Sequence, residues 1–468
     1  MKIAYIGRVS LSRLEAACVG TLGGVIDTAL PKVRWGFPLG SEIVLGLLKR
    51  GHEVHVITEH IVSDYECYAL DFASQSFLST NFTNYTNCLS QNSLNSRNLR
   101  TTNNNPQPRL YIHLVPSRKR SRWTFLTLFS KEVRGMRKVI EEIKPDVCFA
   151  QWTYYNAYAA LTSGYPTLVV AHDSPWRVFR MFRNLQTLIK AVYATMFVVP
   201  KIKHLTAVSP HIVEEFRKFG CLEVERFGDI TVIPNGVEVS RVDREIGREN
   251  SRGEHKEHKD FKGDRPTVVC ISQAGRLKNS KTLFEAWKIV EKKHPDWRLL
   301  VYGQGMDERS LEVWRFGGLE LRGIASREEL DRVLREEADL FVSPTLEESF
   351  GMVFVEAMKQ GVPCIGGEKS GAVSWVLGCE NNGRVERVER VENGHKEHKE
   401  HKDCGGVVCD VTEPEKLAEC IEMVMRDLEL RKKLGEGGIR RVKEMFDIER
   451  VVDLYEQELK KLSNSCNP

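Results

Sequence analysis

Short apolar runs closed by glycine, proline or a polar turn alternate along this chain with longer stretches whose apolar positions recur at helical spacing. Lys2 to Ile6 is the first such run, and Gly40 to Arg50 the first helical one, stopped by Gly51 before a second run from His52 to Thr58. Further strands are predicted at Leu110–Val115, Pro145–Ala150, Pro166–Ala171, Leu205–Ser209 and Ile230–Val237. A helix is predicted over Arg177–Val199, with Phe179, Phe182, Leu185, Leu188, Ile189 and Val192 on one face. The pattern restarts at Pro266–Ser272 and gives strands at Arg298–Tyr302, Leu319–Gly323, Ala338–Val342, Cys364–Ile365 and Gly406–Cys409. Helices run between and after them, the last from Ile448 to Leu462. Strands that are apolar throughout are buried on both faces, and their alternation with helices predicts an α/β chain with parallel sheets. A chain of 468 residues exceeds one ordinary core, so two domains are expected.

Three stretches break the pattern. Residues 72–108 are rich in Asn, Ser and Thr, and residues 242–265 and 384–404 are charged. The heptamer Glu254–Asp260 returns unchanged at Glu397–Asp403. All three read as low-complexity or disordered insertions. Their histidines stand in solvated charged tracts without a cysteine or carboxylate geometry that would fix a metal, so no metal site is expected.

The 68 basic and 64 acidic residues nearly cancel, which argues against a dedicated nucleic-acid binder. Twelve cysteines without a Cys-x-x-Cys pair read as reduced, mostly buried thiols. No signal peptide and no apolar run of ~20 residues is seen, so a cytoplasmic location is expected. The basic run Ser117–Trp123 and the 177–199 helix, where Lys and Arg interleave with the apolar face, have two readings. One is ordinary surface and packing; the other is a surface for anionic lipid heads or an anionic or lipid-linked acceptor, in peripheral contact with the inner face of a membrane.

The densest chemistry lies in Ser343–Val373. A loop carrying Glu347 and Glu348 leaves the Ala338–Val342 strand, and Ser349, Phe350 and Gly351 open a helix to about Gln360. The first amides of a helix lack intrahelical partners and carry positive partial charge, and a glycine there leaves room for a phosphate. Glu356 lies about 8 Å further along the axis at ~1.5 Å per residue, placed to take a ribose diol.

Glu348-Ser349-Phe350-Gly351, then Glu356-Ala357-Met358, then Gly361-Val362-Pro363 resembles the donor-binding segment of retaining glycosyltransferases of the family 4 type (glycosyl transferases group 1). Other phrases extend the resemblance: Arg50-Gly51-His52-Glu53-Val54, Val232-Ile233-Pro234-Asn235-Gly236-Val237 and Gly275-Arg276-Leu277-Lys278. It covers most of the chain outside the insertions and is strongest from Pro266 to Leu377. Two positions depart from it. Leu39 stands where the family has the first glycine of its Gly-Gly-x-Glu, with Gly40 as the second; Gln151 stands where the family has a histidine near the anomeric carbon.

The resemblance implies a GT-B fold of two Rossmann-like domains facing across a cleft. An acceptor-side domain would span 1–240 with the terminal helix 448–468, and a nucleotide-sugar-binding domain 266–447. It implies retaining transfer of a sugar from a UDP- or GDP-linked donor to a glycan, lipid or small-molecule acceptor. Glu348, His172 and Lys278 would be catalytic. Gly40, Arg276, Lys278, Glu348, Ser349, Phe350, Gly351 and Glu356 would hold the donor, with no metal and no cofactor. His172 and Asp173 match the family's second strand-end pair; bracing a loop is the other reading of that histidine. An epimerase or phosphorylase of the same fold and a non-catalytic nucleotide-sugar binder are the alternatives.

Overall fold

A computed structural model describes residues 1–11, 13–14, 37–60, 66–71, 77–82, 109–116, 127–218, 230–239, 261–306, 317–379 and 404–465. The chain forms two compact units. One comprises 1–208, 212–233 and 448–468; the other comprises 209–211 and 234–447. The passage at Ile233–Pro234 falls in the Pro-Asn-Gly phrase.

The first unit is built on a sheet whose central strand β1 (Lys2–Ile6) lies between β2 (Glu53–His60) and β6 (Val147–Gln151). β5 (Arg109–Pro116) extends it beyond β2, and β7 (Thr167–Ala171), β8 (His204–Ala207) and β9 (Thr231–Val232) extend it beyond β6, all parallel. Every residue of β6 and β7 is buried, as continuous apolar runs require of a sheet covered on both faces. At one edge β3 (Glu66–Asp71) runs antiparallel to β5 and pairs with β4 (Phe77–Phe82). That strand corrects part of the expected 72–108 insertion. Its backbone gains ladder partners from β3, a pairing that composition does not reveal. Residues 72–76 and 83–108, and the basic run 117–123, lie outside the described residues.

Helix α1 (Pro38–Lys49) follows β1, and the terminal helix α2 (Ile448–Ser465) packs on it. Val452 fills the space over Gly46, and Arg50 Nη2 is 2.5 Å from Asp453 Oδ1. His52 Nε2 is 2.6 Å from Glu456 Oε1.

The single helix expected over 177–199 breaks into two α-helices, the second continued by a π-helical turn at Ala194–Val198. The first, Pro175–Phe182, ends at Arg183 in the left-handed region (φ 46°). The second, Leu185–Tyr193, is capped by Asn184, whose Oδ1 accepts from the Thr187 amide at 2.9 Å. An Asn at an N-cap outweighs an unbroken apolar stripe, since it satisfies an amide the helix leaves orphaned.

The second unit holds a six-stranded parallel sheet: β10 (Thr267–Ile271), β11 (Arg298–Tyr302), β12 (Leu319–Gly323), β13 (Leu340–Val342), β14 (Cys364–Gly367) and β15 (Gly406–Cys409). Their spatial order is β12-β11-β10-β13-β14-β15. This is the doubly wound Rossmann order, whose direction reverses between β10 and β13. Trp287, Phe284 and Leu283, from the helix Ser280–Lys293, anchor its core. The expected insertion 242–265 ends early. Phe261 packs on the core beneath the Arg431 guanidinium (4.8 Å), and the Lys262 amide donates to Asp339 Oδ1 at 2.8 Å. Residues 242–260 and 384–403, with both charged heptamers, lie outside the described residues.

Candidate functional site

In an open parallel sheet the loops leaving the two strands at the reversal point separate and open a crevice. In the second unit those loops follow β10 and β13, and they carry the two residues the sequence singles out. After β10 the chain makes a tight turn at Arg276–Lys278, closed by Asn279 in the left-handed region (φ 53°). Asn279 Nδ2 fastens it to the Val411 carbonyl at 2.7 Å. After β13 the chain runs through Thr345 to Glu348. The Leu346 amide donates to the Leu277 carbonyl at 2.8 Å, stitching the two loops together. Between them Lys278 Nζ and Glu348 Oε1 form an ion pair, with side chains 31% and 16% exposed.

The Glu348 loop is held from behind. The Ala372 amide donates to the Glu348 carbonyl at 3.0 Å, and Ser370 Oγ to the Thr345 carbonyl at 2.5 Å. Gly371 (φ 64°) passes so close that an added Cβ would lie 2.2 Å from the Glu348 carbonyl oxygen. Phe350 is buried, edge-on to Trp375 and Phe446 at 6.1 and 5.5 Å. Its ring therefore anchors the loop and does not face the crevice.

The helix opens later than expected, at Met352, because Gly351 takes a left-handed conformation (φ 93°) as its N-cap. No side chain caps that end. Glu356, on the same helix, is 3.3 Å from Arg327 Nη2 and is 26% exposed. Burial raises its carboxyl pKa, and Arg327 opposes the rise. Arg276 is exposed and makes no ion pair among the described residues.

Ser209 and His211 also belong to this unit, which sequence reasoning missed. Ser209 Oγ donates to the Ser349 carbonyl at 2.7 Å, and His211 Nε2 is 2.9 Å from Glu347 Oε1. Glu347 is thereby occupied, and Glu348 is the acid beside the lysine. Arg327 was missed as well. No short-range signal marks these three residues, because their partners lie far away in sequence.

His172 and Gly40 belong to the first unit. His172 Nε2 is 2.7 Å from Gln151 Oε1. An amide oxygen only accepts, so the ring carries its proton on Nε2. Phe37 and Trp152 enclose the ring at 5.3 and 4.7 Å. Burial pushes its pKa down to about 3, so it is neutral near pH 7. Gln151 is fully buried over Gly7, and its Nε2 has no partner. Asp173 accepts from the Tyr154 hydroxyl at 2.9 Å, and burial pushes its pKa up to about 6.

Gly40 is buried in the first turn of α1, where its amide donates to the Phe37 carbonyl at 3.1 Å. A Cβ there would lie 2.4 Å from the Tyr5 hydroxyl and 2.6 Å from the Arg8 carbonyl oxygen. Gly40 thus serves close packing, with its amide already occupied. No metal-holding cluster of three or more His, Cys, Asp or Glu occurs among the described residues. No helix among them is long and apolar enough to cross a membrane.

The chain matches two family models: Glycosyltransferase Family 4 over residues 41–241, and Glycosyl transferases group 1 over residues 251–441. It is 22% identical over 442 residues to the N-acetyl-alpha-D-glucosaminyl L-malate synthase of Bacillus anthracis, covering 92% of this chain and 94% of that protein. It is 23% identical over 272 residues to the capsular polysaccharide biosynthesis glycosyltransferase CapM of Staphylococcus aureus, covering 56% of this chain and 64% of that one. Among solved structures it resembles sucrose-phosphate synthase from Thermosynechococcus elongatus, with a TM-score of 0.62 at 14% identity, covering 99% and 100% of the two chains. It also resembles Anabaena Alr3699/HepE in complex with UDP and glucose, with a TM-score of 0.55 at 15% identity, covering 98% and 100%. None of these four proteins is named as an epimerase, a phosphorylase or a non-catalytic binder. Two Rossmann-like units, two adjoining family models and a site at the reversal point of the second sheet agree: the chain belongs to the group 1 and family 4 glycosyltransferases of GT-B fold.

Proposed function

We propose that this glycosyltransferase moves a sugar from a UDP- or GDP-linked donor to a glycan, lipid or small-molecule acceptor, with retention at the anomeric carbon. The observation that carries the reading is the Lys278–Glu348 ion pair between the two loops at the reversal point. In the free chain the two groups neutralise each other. An entering pyrophosphate takes Lys278 as its counter-ion, and Glu348 is released to accept a hydrogen bond from the sugar. Lys278 and the amides at Gly351 and Met352 then face the leaving diphosphate as negative charge grows on it, which is where electrostatic stabilisation counts most. These groups supply the neutralisation, so the reading assigns no role to a divalent metal. Arg276 adds a second cation at the entrance, Glu356 takes the ribose hydroxyls, and Ser349 and Phe350 contribute backbone only. His172 acts as a neutral hydrogen-bonding group. Gly40 supports α1 and makes no donor contact.

The acceptor side falls to the first unit. A groove of about 660 Å³ there is lined by Leu128, Arg134, Arg137, Tyr158, Tyr193 and Phe197. Rings with a few charged groups among them, Glu141 paired to Arg137 included, suit a glycan or lipid-linked acceptor. Phe182, Leu185 and Met196 are 56%, 71% and 64% exposed, with Arg180 and Arg183 exposed beside them. This favours a peripheral contact with an anionic membrane surface.

The test is a panel of UDP, GDP and ADP sugars assayed by thermal shift and turnover. A sugar nucleotide that stabilises the wild type but not Lys278→Ala supports the reading. Unchanged turnover in both Lys278→Ala and Glu348→Ala would refute it.

A further inference from the structure

Cys379 and Cys404 bound the stretch 380–403. Their sulfurs lie 3.2 Å apart, and both are partly exposed free thiols. The backbone already fixes both ends. The Cys379 amide donates to the Ser374 carbonyl at 2.8 Å, and the Gly405 amide to the Leu377 carbonyl at 2.8 Å. Cys404 Sγ donates to the Gly406 carbonyl at 2.9 Å, and Cys379 Sγ reaches the same oxygen at 3.2 Å. Two sulfurs held this way need to approach by only about 1.2 Å to reach the ~2.05 Å of a disulfide. The other cysteines whose side chains are described are worse placed. Cys148, Cys270, Cys364 and Cys420 are buried, and Cys409 has buried Cys420 as its thiol partner.

We propose that Cys379 and Cys404 are a reversible oxidation site, closing into a disulfide that joins the two ends of the 380–403 stretch. The co-reactant is a low-molecular-weight disulfide. The Cys404 thiolate attacks one of its sulfurs, forming a mixed disulfide and expelling one thiolate. Cys379 then loses its proton and attacks the Cys404 sulfur, expelling the second thiolate. Two protein thiols are oxidised by two electrons, and one small disulfide is reduced to two small thiols. Cys404 is the natural attacking thiol. The Cys379 hydrogen bond, with Arg441 and Lys433 nearby, lowers its pKa to about 7, whereas the Cys379 thiol is raised.

The bond would tie the end of the helix Val373–Leu377 to the strand β15. The segment immediately before that helix donates the Ala372 amide to Glu348. Oxidation would therefore firm the backbone behind the Lys278–Glu348 pair without using either side chain.

The experiment exposes the full chain to oxidised glutathione, alkylates the remaining thiols, and maps the peptides without reduction. The expected product is a Cys379–Cys404 cross-linked peptide, formed before any Cys409–Cys420 link and reversed by dithiothreitol. Cys379→Ser should instead trap glutathione on Cys404. The oxidised wild type should melt at a higher temperature than the reduced form, and Cys379→Ser should show no such rise. Full alkylation of Cys379 and Cys404 after exposure, or cross-links from either to other cysteines, would overturn the proposal. The wild-type map requires no variant to fold.

Discussion

Lys278 and Glu348 are 70 positions apart and form one ion pair, each at the tip of a loop leaving a strand beside the reversal point of the second sheet. Neither loop could hold its charged group there alone. The Leu346 amide on the Leu277 carbonyl sets the spacing between the loops, and the pair sits on top of that bond.

Removing either partner should cost catalysis far more than folding. For Lys278→Ala, turnover is expected to fall by about 10²–10³, the usual loss when one charge-stabilising donor is removed. The midpoint of urea unfolding should move little, since both side chains are partly solvated and such pairs contribute only ~0–1 kcal/mol. Turnover with the preferred sugar nucleotide, alongside the unfolding curve, checks both. In the double variant the losses of stability should be less than additive, because the two single changes remove the same ion pair.

Gly371→Ala tests the support behind Glu348. The added Cβ would meet the Glu348 carbonyl oxygen, at a φ that side chains rarely adopt. A loss of about 1–3 kcal/mol is expected, together with a drop in turnover. Equal stability with full activity would show that the loop is held by something else.

Glu356→Gln keeps the shape and removes the charge. If the carboxylate takes a ribose diol, the KM for the donor should rise about tenfold or more, with a smaller change in kcat. Arg327→Ala should shift the same parameter in the same direction, since that guanidinium opposes the upward push on the Glu356 pKa.

Burial sets a pH signature at His172. Its folded-state pKa is depressed to about 3, against ~6.5 when unfolded, so the unfolded chain takes the proton first. The stability it contributes is complete above about pH 6.5. It is lost as pH falls, by about 1.4 kcal/mol per unit, down to about pH 3. Asp173 has the opposite sign: its pKa is raised to about 6, so its protonation favours the fold as pH drops from there toward ~3.9. Between about pH 6 and 4 the two nearly offset each other, so replacing His172 with Gln should leave the Asp173 contribution unopposed and make the unfolding free energy rise, relative to wild type, as pH falls through that window, measured by urea titration at each pH. A slope identical to wild type would mean the ring is hydrated.

The exposed apolar residues of the first unit give a binding prediction. Changing Phe182, Leu185 and Met196 together to Ser should reduce sedimentation with vesicles containing anionic lipid, and leave turnover of a water-soluble acceptor unchanged. Equal sedimentation of both proteins would remove the proposed membrane contact.

The sequence by itself determined the parallel α/β architecture and located the two loops that carry Lys278 and Glu348. Both follow from short-range rules: apolar runs make buried strands, and a loop between strand and helix carries its polar groups to the strand's carboxyl end. Only the tertiary structure decided which of two adjacent acids meets the lysine, because His211, from the other half of the chain, takes Glu347. It also showed that Gly40 and Phe350 serve packing, that Arg327 faces Glu356, and that two cysteines at the ends of a charged stretch touch. Each of these depends on two segments brought together by burial of a shared core. No local spacing encodes such a meeting, because the energy that drives it is spread over the whole sheet and its helices.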